Sequence, residues 1–96
     1  MFTGLIEAIC TVKAIADGPA HGTKRLTVDL GALAEDGRSG ESIAINGVCL
    51  TIAQMRGSAA VFELSTETLA KSTLGGLRPA AQVNIERAMR ASDRFG

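Results

Sequence analysis

The sequence predicts a small all-β domain folded as an antiparallel sandwich or barrel. About six short segments alternate apolar and polar residues, the period of a half-buried strand. Tight turn signals separate them at the spacing typical of such folds, and little of the chain favours helix. With 96 residues the chain forms one domain, which buries roughly 60–65% of its unfolded surface. Closing the sheet would remove its exposed edges.

The clearest strand pair is a β-hairpin over residues 41–54. Asn46-Gly47 tolerates the positive φ angles at both central positions of a type I′ turn. A two-residue turn sets the register, and the predicted pairs are Ile45–Val48, Ala44–Cys49 and Ile43–Leu50. One face is aliphatic and belongs in a core. The other carries Ser42, Ala44, Cys49 and Thr51, whose small side chains could line a shallow pocket.

Two strands are predicted before the hairpin. Residues 1–16 are rich in β-formers and favour a long bent strand; a helix is the alternative, although Gly4 would cost it about 1 kcal/mol. Turn residues fill 17–22. Residues 23–30 alternate as a second strand, and residues 31–35 favour a short helical turn.

Two further strands are predicted after the hairpin. Residues 60–64 form the first, and residues 65–71 then favour a short helix, with a hydroxyl residue as its cap. Residues 82–86 form the last strand, and residues 87–94 have a pattern compatible with a helix.

Composition excludes several functional classes. The formal net charge is zero and the chain has neither Trp nor Tyr, so a nucleic-acid surface lacks its electrostatic and stacking parts. No apolar run reaches membrane-spanning length. Cys10 and Cys49 match no zinc spacing, and His21 makes no metal site by itself, so neither a metal nor another cofactor is expected. Free thiols favour a cytoplasmic location.

No set of residues names a reaction, but four ordered motifs resemble one family. MFTGLIEAI, INGVCLT, LSTETL and VNIERAMRASDRFG, in this order from residue 1 to residue 96, are similar to the N-terminal half of riboflavin synthase. The resemblance implies a six-stranded antiparallel Greek-key β-barrel with one or two short helices. In that family two such barrels lie in tandem and three chains associate.

The resemblance also implies a reaction. Two molecules of 6,7-dimethyl-8-ribityllumazine react, and transfer of a four-carbon unit gives riboflavin and a pyrimidine dione without a cofactor. The chain is then expected to be a single lumazine-binding domain, residues 1–96, whose companion barrel is missing. It should bind lumazine or riboflavin, pair with a second copy as a homodimer, and turn ligand over poorly or not at all.

Three segments match ligand-contacting segments of the family. The first is Gly4, Leu5 and Ile6, for which a strand bulge is the plain structural alternative; Phe2 also resembles a functional position. The second is Val48, Cys49, Leu50 and Thr51. The third is Glu63, Leu64, Ser65, Thr66, Glu67 and Thr68, where simple helix capping is the alternative.

Catalytic roles are assigned by the same resemblance to Ser42, Cys49 and Glu63. Cys49 has no base beside it in sequence and is not expected to be a covalent nucleophile. Glu63 stands where the family usually has aspartate, and Val48 where some members have cysteine.

Two other functions fit the same residues. One is a non-catalytic lumazine or flavin carrier with this barrel. The other is a generic interaction domain without a ligand site, in which the candidate residues are ordinary surface and core.

Overall fold

Six β-strands close into one antiparallel barrel in the computed structural model, which describes residues 2–88. The strands are β1 (Ala8–Asp17), β2 (Lys24–Asp29), β3 (Ser42–Ile45), β4 (Val48–Arg56), β5 (Ala59–Leu64) and β6 (Gln82–Arg87). One α-helix, α1 (Thr66–Lys71), and two 3₁₀ turns, Gly31–Asp36 and Leu74–Gly76, connect them. The predicted all-β class and antiparallel barrel are confirmed.

Around the barrel the strands follow the order β1-β2-β5-β4-β3-β6. Strands β3, β4 and β5 are consecutive neighbours, and β6 returns beside β3. Strand β1 closes the barrel, because its first half pairs with β6 and its second half with β2. Thr11 pairs with both neighbours, and a register shift between Val12 and Ala14 then interrupts the pairing of β1 with β2.

The hairpin forms in the predicted register. Ile45 lies opposite Val48 and Ile43 opposite Leu50. Asn46 and Gly47 have φ angles of 50° and 81°, as a type I′ turn requires. Asn46 also exchanges two hydrogen bonds with Asn84 of β6: its backbone N–H donates to the Asn84 carbonyl at 2.9 Å, and its Oδ1 accepts from the Asn84 N–H at 2.8 Å. The turn is therefore fixed to β6.

The barrel interior is filled by one apolar cluster. The predicted inward face of the hairpin is confirmed, since Ile43, Ile45, Leu50 and Ile52 are buried and Val48 is half-buried. Phe62 of β5 is fully buried and lies opposite Leu26 of β2. This core gives the outer surface of β3 and β4 a rigid support.

The strand predicted over residues 1–16 is wrong for its first part, because β1 begins at Ala8. Gly4 has a φ of 82°, outside the range of a strand. The Leu5 N–H donates to Thr3 Oγ1 at 3.2 Å, a local bond that competes with strand pairing. Residues 2–7 therefore fold back over the barrel.

The remaining predicted elements are largely confirmed. The helical turn at 31–35 is the 3₁₀ turn Gly31–Asp36, and α1 is capped by Ser65. Of the helix expected over 87–94, Arg87 instead ends β6, and residues 89–94 lie outside the described residues. Within residues 2–88, no helix combines the length and apolar character needed to cross a membrane.

Candidate functional site

The outer face of β3 and β4 carries the small residues that the hairpin register places there. Ser42 lies opposite Thr51, and Ala44 lies opposite both Cys49 of β4 and Glu86 of β6. Cys49 and Thr51 are exposed, whereas Ala44 and Glu86 are buried although they face outward. Another part of the chain must therefore cover the Ala44–Glu86 side.

The N-terminal segment, residues 2–7, provides that cover. Glu86 is 9% exposed, and its carboxylate accepts hydrogen bonds from the Thr3 and Gly4 backbone N–H groups and from the Thr3 hydroxyl. The hydroxyl bond measures 2.9 Å and the Gly4 bond 3.0 Å. These bonds replace the water that a buried carboxylate loses.

A second anchor holds the other end of this segment. Glu7 accepts from the backbone N–H of Arg87 at 2.7 Å and forms a two-pronged ion pair with its guanidinium, in which Nη2 lies 2.8 Å from Oε2. The Arg87 side-chain hydrogen bonds lower the pKa of Glu7, and partial burial opposes them. Glu7 therefore stays ionised in the folded chain to a lower pH than an ordinary glutamate.

We expect this anchor to make stability depend on pH in the acid range. A carboxyl whose folded pKa is lowered stabilises the fold above its unfolded pKa and loses that contribution as pH falls through the folded value. The Glu7→Gln chain should therefore show a flatter decline in unfolding free energy between about pH 5 and about pH 3. Urea titrations at several pH values measure this.

The control for the Glu7 experiment is Glu67→Gln. Glu67 pairs with Lys71 on the exposed surface of α1 at 2.7 Å, and such pairs contribute about 0.2–1 kcal/mol. Equal pH slopes in the wild-type and Glu7→Gln chains would contradict a stabilising role for the ionised Glu7.

A cleft of about 200 Å³ lies where the N-terminal segment meets the hairpin turn. Its lining comes from the segment, from β3 and its turn, and from β6: Gly4, Ile6, Ala44, Gly47, Asn84, Ile85 and Glu86. Apart from residues 3–5 themselves, no atom of the described residues lies within 4 Å of the position a Cβ would take on Gly4. The positive φ, rather than a close backbone contact, is thus what requires glycine at this position, and the space beside it is open.

Two larger depressions lie elsewhere on the barrel. One, of about 410 Å³, surrounds the β1–β2 turn, residues 17–24. The other, of about 430 Å³, lies along residues 7–11 and 29–33. Neither includes a residue of the three segments singled out in the sequence, so the smaller cleft is the better candidate despite its size.

The second predicted segment adjoins the cleft along β4. Cys49 and Thr51 present their side chains to solvent, and Cys49 is paired with the cleft residue Ala44. Leu50 points into the core with 6% exposure, so only its backbone is available to a ligand on the outer face.

The third predicted segment lies on the far side of β4. Ser65 Oγ accepts from the Thr68 N–H at 3.1 Å, which is the capping bond of α1. Thr66 lies beside Gly22 of the β1–β2 turn, and Leu64 is buried in the core. Because β3 and β4 separate β5 from β6, this segment is about three strand spacings, roughly 14 Å, from the β6 wall of the cleft.

The three candidate catalytic residues do not form a cluster of directly bonded groups. Ser42 and Cys49 are diagonal neighbours on β3 and β4, with Cα atoms roughly 7–8 Å apart, too far for their short side chains to hydrogen bond. Glu63 lies opposite Arg25 and forms an exposed ion pair with it at 3.7 Å. No three His, Cys, Asp or Glu residues within 2–88 are grouped so that they could hold a metal ion.

The three segments predicted from the sequence do not include Thr3, Asn84 or Glu86, which shape the cleft in the folded chain. Glu86 lies at an outward position of its strand, where a charged residue is ordinary. Its burial depends on a contact with residues 82 and 83 positions earlier in the chain. No local pattern in the sequence reports such a contact.

The chain is similar to known proteins along nearly all of its length. Residues 3–88 match the family model described as the lumazine binding domain. The chain is 38% identical over 96 residues to riboflavin synthase of Bacillus amyloliquefaciens and 37% identical over 97 residues to that of Escherichia coli. In each case the match covers all of this chain and 44% or 45% of the relative. The chain therefore spans less than half the length of these curated relatives.

Solved structures share the fold. LumP complexed with riboflavin superimposes with a TM-score of 0.87 at 22% identity, over 100% of this chain and 51% of that chain. LumP complexed with 6,7-dimethyl-8-(1'-D-ribityl) lumazine gives 0.84 at 22% identity, over 92% and 49%. The likeness in structure supports the barrel, and the family match covers nearly all of it. The chain thus belongs to the lumazine-binding domain family.

Proposed function

We propose that this chain binds 6,7-dimethyl-8-ribityllumazine or riboflavin as the N-terminal domain of a riboflavin synthase. The observation that carries the proposal is the cleft between Gly4, Ile6 and the hairpin turn. It is lined by residues of the first segment that resembles a ligand-contacting segment, and the second segment adjoins it through the pairing of Cys49 with Ala44. The family match over residues 3–88 supports it. LumP, whose solved structures contain the lumazine or riboflavin, shares this barrel.

The small size of the cleft favours a site that holds only one face of the ligand. Sites for ligands of this size enclose about 300–1,000 Å³, whereas this cleft offers about 200 Å³. One wall would therefore hold one face of the heterocycle, and a second surface would complete the site. For a reaction between two lumazines, holding both molecules face to face lowers the barrier by removing the entropy cost of their encounter.

The residues of the proposed site differ in the chemical groups they present to the ligand. Gly4 and Ile6 supply a flat apolar wall, and Cys49 and Thr51 supply small polar side chains beside it. Ser42, Cys49 and Glu63 remain proposed catalytic residues. The hydroxyls of Ser65, Thr66 and Thr68 are proposed to meet the ribityl chain, at the far side of β4.

Exposed apolar side chains favour a partner over this surface. Leu5, Ile6 and Ile9 are 72%, 58% and 63% exposed, although both ends of the N-terminal segment are anchored. We propose that a second copy covers them in a homodimer, and the second barrel of a neighbouring chain in a trimer of the full-length parent. The two free thiols are compatible with the cytoplasm as the location.

Ligand titration of this chain tests the proposal. Because the chain has no Trp and no Tyr, the fluorescence of lumazine or riboflavin can be followed without a strong protein signal. We expect saturable quenching with a dissociation constant near the micromolar range, about −8 kcal/mol, and a sedimentation coefficient of a dimer. An unchanged signal with both ligands up to about 100 µM, equivalent to about −5.5 kcal/mol, would contradict the proposal and favour a generic interaction domain.

Measurement of riboflavin formation distinguishes an enzyme from a carrier protein. Incubation of the lumazine with this chain should form little riboflavin, and incubation with a longer natural protein that contains the chain should form it readily. Tight binding without riboflavin formation by that longer protein would instead support the carrier function.

A further inference from the structure

Glu86 is a buried charged residue that the proposed ligand contacts do not use. It lies on the outward face of β6 opposite Ala44, where an exposed side chain would be expected from the strand alternation. Its carboxylate is instead enclosed by the N-terminal segment and accepts from donors on Thr3 and Gly4. The small Ala44 side chain beside it leaves room for that segment.

We infer that Glu86 is a positioning residue, which fastens residues 3 and 4 so that Gly4 and Ile6 form a wall of the ligand cleft. The inference rests on the proposed function and extends it to a residue outside the three ligand-contacting segments. Glu86 itself lines the cleft together with Gly4, Ile6 and Ala44. The residue that fastens the N-terminal segment is therefore itself part of the cleft wall.

The two anchors restrict the movement of the N-terminal segment. The Glu86 bonds hold residues 3 and 4, and the Glu7–Arg87 bonds hold residue 7. Only Leu5 and Ile6 lie between them, and both project into solvent. Without Glu86, residues 2–6 would be held only by bonds within the segment and at its far end, and the wall would lose its fixed position.

A carboxylate suits this role better than a neutral acceptor. Oε2 accepts from the Thr3 N–H, the Thr3 hydroxyl and the Gly4 N–H, and Oε1 accepts a second branch from the Gly4 N–H at 3.1 Å. Charged acceptors form stronger bonds than amide oxygens do. Glu86→Gln keeps the shape of the side chain but removes the charge, and its amide nitrogen cannot accept from the Gly4 N–H. It should therefore loosen residues 3 and 4 while leaving the barrel core untouched.

Two readouts test the inference: ligand affinity and amide hydrogen exchange of residues 3–6. The urea midpoint of unfolding shows whether each variant is folded. We expect Glu86→Gln to weaken lumazine and riboflavin binding at least tenfold and to speed exchange of the Thr3 and Gly4 amides at least tenfold. Thr3→Val, which removes only the hydroxyl donor, should give smaller changes in the same direction. It also keeps the test decisive if the Glu86 variant folds poorly.

The matched control is Asp29→Asn. Asp29 Oδ1 likewise accepts a backbone N–H, from Gly31 at 3.0 Å, but Asp29 is not among the residues that line the cleft. This variant should leave ligand affinity and exchange at residues 3–6 unchanged. A Glu86→Gln chain that is folded and binds within twofold of wild type would overturn the positioning role and leave the proposed function standing. Failure of the wild-type chain to bind either ligand would refute the proposed function, and with it the role of Glu86 in ligand binding. Amide hydrogen exchange of residues 3–6 would then test only whether Glu86 fastens the segment.

Discussion

Replacing Phe62 with alanine should lower the free energy of unfolding by about 3–5 kcal/mol, the usual cost of removing a fully buried ring. Phe62 is 0% exposed and lies opposite Leu26 on one side and Ile52 on the other. It therefore links three neighbouring strands from inside the barrel. Domains of this size are stable by about 5–15 kcal/mol in all, so the variant should be close to unfolding at ambient temperature.

Urea or thermal denaturation followed by circular dichroism measures this loss. Each kcal/mol corresponds to about 4–8 °C in Tm for a domain of this size, so a fall of more than 10 °C is expected. Glu63→Ala is the control, because Glu63 is the next residue along β5 but is exposed, and its ion pair with Arg25 is worth at most about 1 kcal/mol. A loss below about 1.5 kcal/mol for Phe62→Ala would contradict the central role given to this ring.

Placing a large side chain at Cys49 should weaken ligand binding without unfolding the barrel. Cys49 is exposed on the outer face of β4 and lies opposite the cleft residue Ala44. A phenylalanine there suits a strand and would occupy the space proposed for the ligand. We expect Cys49→Phe to raise the dissociation constant for riboflavin at least 30-fold, about 2 kcal/mol.

Two companion variants make this result specific. Ala53→Phe adds the same ring at an exposed position on the same strand, roughly 13 Å away, and should bind normally. Cys49→Ser keeps the size and should also bind nearly normally, since no nucleophilic role is expected for the thiol. If Cys49→Phe binds riboflavin within threefold of wild type, the ligand does not lie on this face of β4.

The hairpin shows why part of the fold could be predicted. Asn46-Gly47 needs no long-range information to form its turn, because its positive φ angles are set by two adjacent residues. Once the turn is fixed, the pairing of Ile43 with Leu50 follows from counting. The inward aliphatic face then follows from the alternation.

The N-terminal segment shows where prediction by propensity fails. Residues 2–7 contain strand-forming residues, and an extended strand was the natural expectation. In the folded chain the donors of Thr3 and Gly4 turn to the carboxylate of Glu86. A tertiary contact therefore overrides the local preference.

The candidate site was only partly accessible to sequence reasoning. The resemblance indicates three segments. The fold places the first in the wall of the cleft and the second next to it, where Cys49 pairs with the cleft residue Ala44. It places the third beyond β4, where Ser65 caps α1. Which segments meet depends on the strand order around the barrel, and alternation along a single strand carries no information about that order.

By itself the sequence determined the all-β class, the hairpin register and the strand faces, because alternation and two-residue turns act over only a few neighbouring residues. The tertiary structure alone decided that β1 joins β6 to β2, that the N-terminal segment lies over Ala44, and that Glu86 is buried beneath it. These features depend on contacts between residues as many as 83 positions apart. Such contacts exist only in the closed barrel, where burial and hydrogen bonding outweigh the local conformational preferences.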